Sequence, residues 1–388
     1  MSSPAPTLVR PDGDDPAAAA LRGTRRRRLL DAMAEQQLDA LVLSRPDNVA
    51  YATGARQLWI AGTKPVGPSC IVMAATGRVH LISVSADGVP AEIPHDDLIE
   101  RSWDPRRLSA ALAAIPGFAD ARRVGTDSLR PGFAGRLVRL APSAEVVDAR
   151  SAIWDARTSK TADEVGHIRA ATEIASAGLD AMVGALVPGV TERQLLAVYL
   201  ERIASMGAPV PPTEGVVCVT DRVGPVALRR LARDRRVEVG DLVAFDAGAL
   251  VAGYEGGLGR TVAVPGPPGG VQEELAGRAR RALDAVIDRC RSGVAGSELL
   301  AAWDATGEPR PPVPLAHGVG LGMEPPLVGL SQDGGDDEEE TTLAAGTVLS
   351  VTSWVSLVGA GGWLERDLVL VGDDPEVLTP GAWVGGAR

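Results

Sequence analysis

The chain has 388 residues, 45% of them apolar and 23% charged, more than one ordinary core holds and the mixture of a soluble two-domain protein. A net charge of −11 opposes the electrostatics of a general nucleic-acid binder, and no run approaches the ~20 apolar residues that a bilayer span requires. Three scattered cysteines, Cys70, Cys218 and Cys290, exclude a disulfide scaffold and a cysteine-rich zinc site, and suit a reducing cytoplasm.

From the start of the chain, residues 1–20 are small and polar, with prolines and no periodic apolar face, and read as a disordered tail. No apolar h-region occurs there, so a secretory leader is not expected. The basic cluster 25–28 opens a helix through Leu29, Leu30 and Met33, with the arginines as its solvated start. Short apolar runs at 40–43, 70–73, 79–84 and 124–126 then alternate with amphipathic stretches such as 108–115, punctuated by Gly and Pro. That rhythm predicts an α/β domain with a mixed sheet over residues 21–152.

Residues 153–388 follow a different pattern. Thr161 with Glu164 three residues on, and Thr191 with Gln194, are capping signals for two helices separated by Pro188-Gly189. Strand-like runs follow at 216–219, 242–245, 260–264, 348–351 and 368–371, with a helix over about 271–291 between them. The reading is an α+β domain: two early helices, long antiparallel strands and helices on one face. Residues 331–342 carry six acidic side chains among Gly, Gln and Thr and read as a solvated loop.

Two segments hold the chemistry. The first runs Gly240-Asp241-Leu242-Val243-Ala244-Phe245-Asp246-Ala247-Gly248 and continues through Gly253-Tyr254 to Gly257-Leu258-Gly259-Arg260-Thr261. The second is Ala316-His317-Gly318-Val319-Gly320-Leu321-Gly322-Met323-Glu324-Pro325-Pro326. Together they resemble the pita-bread superfamily of creatinase, aminopeptidase P, prolidase and methionine aminopeptidase. Leu38-Asp39-Ala40-Leu41 and Pro46 to Gly54 are similar to the creatinase N-terminal domain, and Pro188 to Glu192 and Leu343 to Ser350 also match. The resemblance therefore spans about residues 25–375 in order. It implies a creatinase-like N-terminal α/β domain followed by a C-terminal pita-bread domain, and a homodimer pairing through both.

The resemblance also implies two divalent ions held by two Asp, one His and two Glu, which would activate a bridging water. The first Asp falls on Asp246 and the His on His317. The second Asp falls on Gly257, the first Glu on Thr352, and the last Glu on Arg366, or on Glu365 if the register slips by one residue. A proton-handling histidine falls on Met323 and another on Arg229. No metal or other cofactor is therefore expected.

The surviving groups define a candidate site. His317, Asp246 and Glu324 are the candidate acid/base residues. Arg366 would supply the cation that buried carboxylates need, and Arg229 a cationic mouth for an anionic ligand. Thr352 offers a hydroxyl, Tyr254 a phenol, and Trp354 and Trp363 indoles to line the pocket. Three readings follow: a metal-independent enzyme acting on a C–N bond of a small anionic amino-acid-like substrate; an inactive relative that binds a ligand or protein; and an Xaa-Pro peptidase with one metal on Asp246, His317 and Glu324. The expected partners are a small-molecule or peptide-like substrate and a second copy of the chain, with no nucleic acid and no membrane.

Overall fold

The computed structural model describes residues 16–55, 67–129, 131–213, 216–220, 228, 231–264, 270–329 and 341–379. Residues 1–15, Arg229 and most of the acidic loop lie outside them. The chain divides between Arg157 and Thr158 into two compact units.

The N-terminal unit opens with α1 (Pro16–Glu35). This corrects the expected tail at residues 16–20 alone: the Ala-rich run after Pro16 is a strong helix former, and proline at a helix start costs nothing. Arg25, expected in solvent, is buried, with its guanidinium 5.9 Å from the ring centre of Tyr51. There follow β1 (Ala40–Leu43), α2 (Pro46–Thr53), β2 (Cys70–Met73), β3 (Val79–Ser83), β4 (Leu98–Glu100), α3 (Pro105–Ala113), β5 (Arg123–Thr126), α4 (Pro131–Leu140), β6 (Glu145–Asp148) and α5 (Arg150–Thr158). The six strands form one mixed sheet in the order β4-β3-β2-β1-β5-β6. Its core packs Val42, Ile71, Ile82 and Val124 against Leu108, Leu112, Phe133 and Leu137 of α3 and α4.

The second unit begins with α6 (Ala162–Gly184) and α7 (Glu192–Ser205), both closed by the expected capping boxes, Thr161 with Glu164 and Thr191 with Gln194. Then come β7 (Val216–Val219), β8 (Leu242–Val251), β9 (Tyr254–Ala263), α8 (Val271–Ile287), α9 (Gly296–Asp304), β10 (Ala316–Gly320), β11 (Gly322–Val328), β12 (Val348–Leu357), β13 (Gly361–Leu370) and β14 (Glu376–Val377). The sheet runs β11-β10-β12-β13-β9-β8-β7, with β14 on β13.

The helices cover one face of this sheet. Phe245, Ala247, Ala249 and Leu258 pack with residues of α6 and α7, and Leu349, Val351, Val355 and Trp363 with residues of α8 and α9. Strand alternation sends the intervening residues to the opposite face, where the candidate site lies. Among the described residues no helix is long and apolar enough to cross a membrane.

Candidate functional site

Register defines the face turned away from the helices. Asp246 pairs with Gly259, and Gly259 with Arg366. Arg366 pairs with Thr352, and His317 with Ser350 two residues along β12. Directly paired residues share a face, so Asp246, Arg366, Thr352, Ser350 and His317 project together. Gly257 and Glu255 join them by the two-residue period of β9.

Arg366 is the hub. Its Nη2 lies 2.5 Å from Asp246 Oδ1, donates to the Ala247 carbonyl at 3.2 Å, and its Nη1 donates to Ser350 Oγ at 3.3 Å. The Arg366 side chain is only 9% exposed and that of Asp246 22%, so the pair is largely withdrawn from water. A Cβ at Gly257 would meet Arg366 Nη2 at 2.8 Å and would crowd the Ala247 carbonyl. The guanidinium thus fills the volume left by the missing side chain. Its charge is spent on Asp246, so Arg366 is the cation expected to compensate a buried carboxylate, and the pairing leaves it little charge to offer an anionic ligand.

The neighbours of Arg366 on β13 point the other way. Asp367 accepts from Arg260 Nη2 at 2.7 Å, from Arg280 at 3.0 Å and from Thr379 at 2.7 Å. Burial pushes the Asp367 carboxyl up, but Arg260, Thr379 and Arg280 together hold it below its ordinary value. Glu365 takes the indole N–H of Trp363 at 3.0 Å, and burial raises its pKa against the pull of Arg260. The slipped register with Glu365 in the pocket is therefore not the one observed.

Two aromatic candidates are corrected by the same alternation. Trp363 belongs to the core beneath α8. Tyr254 is buried, donates to Glu164 Oε1 at 2.5 Å and stacks on His167 with ring centres 5.7 Å apart. Each has side-chain chemistry that suits a pocket, but the strand presents both to the helix-covered face. Trp354, by contrast, is on the site face. It packs with Ala244, Leu364 and Leu228, its ring over Gly362, and closes one flank of the site as core rather than as open lining.

His317 is half-buried, and a register shift separates it from Gly318. Thr352 is buried. Glu324 is also buried, and Lys160 Nζ holds its Oε2 at 2.7 Å, the carboxylate lying against Gly320. Sequence reasoning missed Lys160 because it sits just before a helix cap, far from both motifs. It also missed Glu255, although the period of two from Gly257 and Gly259 would have placed it. Burial raises the Glu255 pKa, which Arg366 lowers and Asp246 raises again.

Comparison with known proteins gives this geometry its relatives. The pattern of "Metallopeptidase family M24" matches residues 166–373, and that of "Creatinase/Prolidase N-terminal domain" residues 25–159. An Xaa-Pro dipeptidase of Pyrococcus horikoshii is 26% identical over 89% of this chain and 93% of its own. One from Pyrococcus furiosus is 24% identical over 89% and 94%. Among solved structures, the prolidase of Pyrococcus horikoshii superposes with a TM-score of 0.73 at 22% identity, covering 92% of this chain and 98% of that one. An X-Pro aminopeptidase of Thermotoga maritima gives 0.76 at 18%, covering 92% and 98%. The two-domain pita-bread fold is thereby shown.

These relatives overturn one expectation. Metal-independent C–N chemistry on an anionic amino-acid-like substrate has no counterpart among them: they carry the name Xaa-Pro dipeptidase, and the family is one of metallopeptidases. The family implies divalent ions, yet the residues present do not fit a pair of them. Gly257 offers no donor, and the Arg366 guanidinium occupies the adjoining volume and the Asp246 carboxylate. A dication there would face a fixed like charge at close range. Among the described residues no three His, Cys, Asp or Glu side chains converge to hold a metal ion.

Proposed function

Because the chain belongs to metallopeptidase family M24, we propose that its ligands are short peptides of the Xaa-Pro type, bound on the polar face of the second unit. The ligand class comes from relatives aligned over nine-tenths of both chains, a span that takes in both units. The mode, recognition ahead of hydrolysis, is supported by one observation: Arg366 pairs with Asp246, and both fall at positions that the resemblance gives to the family's metal ligands. Asp246 and Arg366 supply a charged floor, Ser350 and Thr352 hydroxyls, and Gly257 and Gly259 a low wall.

Hydrolysis of the same peptides is the second reading, favoured by the kinship with Xaa-Pro dipeptidases. A homodimer working in the cytoplasm completes the proposal, supported by the family resemblance and by three buried cysteines that form no disulfide.

Calorimetric titration of the purified chain with Ala-Pro and with Ala-Ala tests the ligand class. Saturable binding of Ala-Pro alone is the expected result, and binding of neither sinks the proposal. Free proline released from Ala-Pro on addition of Mn2+ would decide for the second reading.

A further inference from the structure

We propose that Glu255 anchors the ammonium group of the ligand, so that the pocket selects peptides with a free N-terminus. This assigns a recognising group within the Xaa-Pro reading and rests on that reading.

The placement follows from the β8–β9 turn. Ala252 and Gly253 both take positive φ, 50° and 83°, and this tight turn sets Val251 against Tyr254 and Leu250 against Glu255. Tyr254 then goes under the sheet to α6, and Glu255 is left on the face of Gly257, Gly259 and Arg366. A one-residue longer turn would have exchanged the two. Asp246 and Arg366 both act on the Glu255 carboxyl through space, so the three groups share one neighbourhood.

Counting charge there gives the chemistry. Asp246 and Arg366 cancel, and Lys160 is committed to Glu324. Ser350 and Thr352 are neutral. Among the described residues Glu255 makes no hydrogen bond or ion pair with a side chain. Among the described residues, the ionised form of Glu255 thus has no bonded counter-charge on this face, and the group is half-buried. Such a carboxylate is stabilised by a cation that donates hydrogen bonds and opposed by a second anion. An α-ammonium meets that requirement, and a ligand carboxylate does not. Leu250, directly across the turn from Glu255 and partly exposed, gives the first side chain of a bound peptide an apolar neighbour.

The test uses Ala-Pro and its analogue propionyl-proline, which has the same shape without the amine. Calorimetry on the wild type should show Ala-Pro binding about 10- to 100-fold more tightly, the worth of one hydrogen-bonded charge. Glu255→Gln, nearly isosteric, should lose that factor for Ala-Pro, leave propionyl-proline unchanged, and keep the wild-type melting temperature within a few degrees. Equal binding of the two ligands by the wild type overturns the proposal without any variant, and so does a preference that survives in Glu255→Gln. Failure of the wild type to bind either ligand has a different signature and overturns the Xaa-Pro reading along with it.

Discussion

A Cβ at residue 257 would meet the Arg366 guanidinium at 2.8 Å, so an aspartate at 257 and the arginine compete for one volume. Gly257→Asp alone should destabilise the protein by about 1–3 kcal/mol, the usual cost of overpacking a filled site. Arg366→Glu alone should place a third carboxylate beside Asp246 and Glu255 with no cation to balance them. Combined, the two changes remove the competition and assemble a carboxylate cluster. The double variant should be more stable than the sum of the single costs implies, and should bind Mn2+ at least about tenfold more tightly than the wild type, measured by urea unfolding and calorimetry. Additive costs with no gain in Mn2+ affinity would show that Gly257 and Arg366 are independent. Much of this site was legible in the sequence, since Asp246, Gly257 and Arg366 all stand at motif positions. What was not legible was direction. Glu255 and Tyr254 are neighbours, and only the turn at Ala252 and Gly253 decides which of them enters the pocket.

Strand β13 carries Glu365, Arg366 and Asp367 in succession, and the pleat sends the middle one to the pocket and the outer two toward α8. Asp367 is the main partner of the buried Arg260, with Glu365 more distant at 3.6 Å. Asp367→Asn should cost about 3–5 kcal/mol at neutral pH, because it leaves a guanidinium buried without its principal counter-charge. The native carboxyl of Asp367 is held below its ordinary value of 3.8. Its contribution is therefore full above that value and is lost as pH falls through the lower folded one. Urea midpoints from pH 7 to pH 2.5 should drop below about pH 4 in the wild type and fall less steeply in Asp367→Asn. Parallel curves would mean that this carboxyl is not the acid-sensitive link. At this scale the sequence was a good guide where local chemistry rules, as in the capping boxes at Thr161 and Thr191. It misled at α1, where prolines and small residues read as a tail although alanine favours helix.

The whole molecule pairs a mixed six-stranded sheet with an antiparallel eight-stranded one, each with its own core. Light scattering at micromolar concentration should find a particle of about twice the 40.1 kDa chain mass, as the homodimer proposal requires; a particle of one chain mass would refute it. Within the larger sheet, β8–β9 and β12–β13 are hairpins whose partners are close in sequence, and such pairings form early and locally. Their junction is another matter. It joins Gly259 to Arg366 across a long stretch of chain, and side chains do much of the joining: the Thr261 hydroxyl accepts from Leu364 N at 2.7 Å and donates to its carbonyl at 3.2 Å. Two guanidiniums span this junction in opposite senses, Arg260 reaching Asp367 on the helix side and Arg366 reaching Asp246 on the other. Sliding one hairpin by a single residue would turn each arginine to the wrong face and strand both carboxylates. The arginines thus act as a key that admits one alignment of the hairpins. A ligand that drew Arg366 away from Asp246 would release only one of the two catches, with Arg260 still holding the alignment from behind.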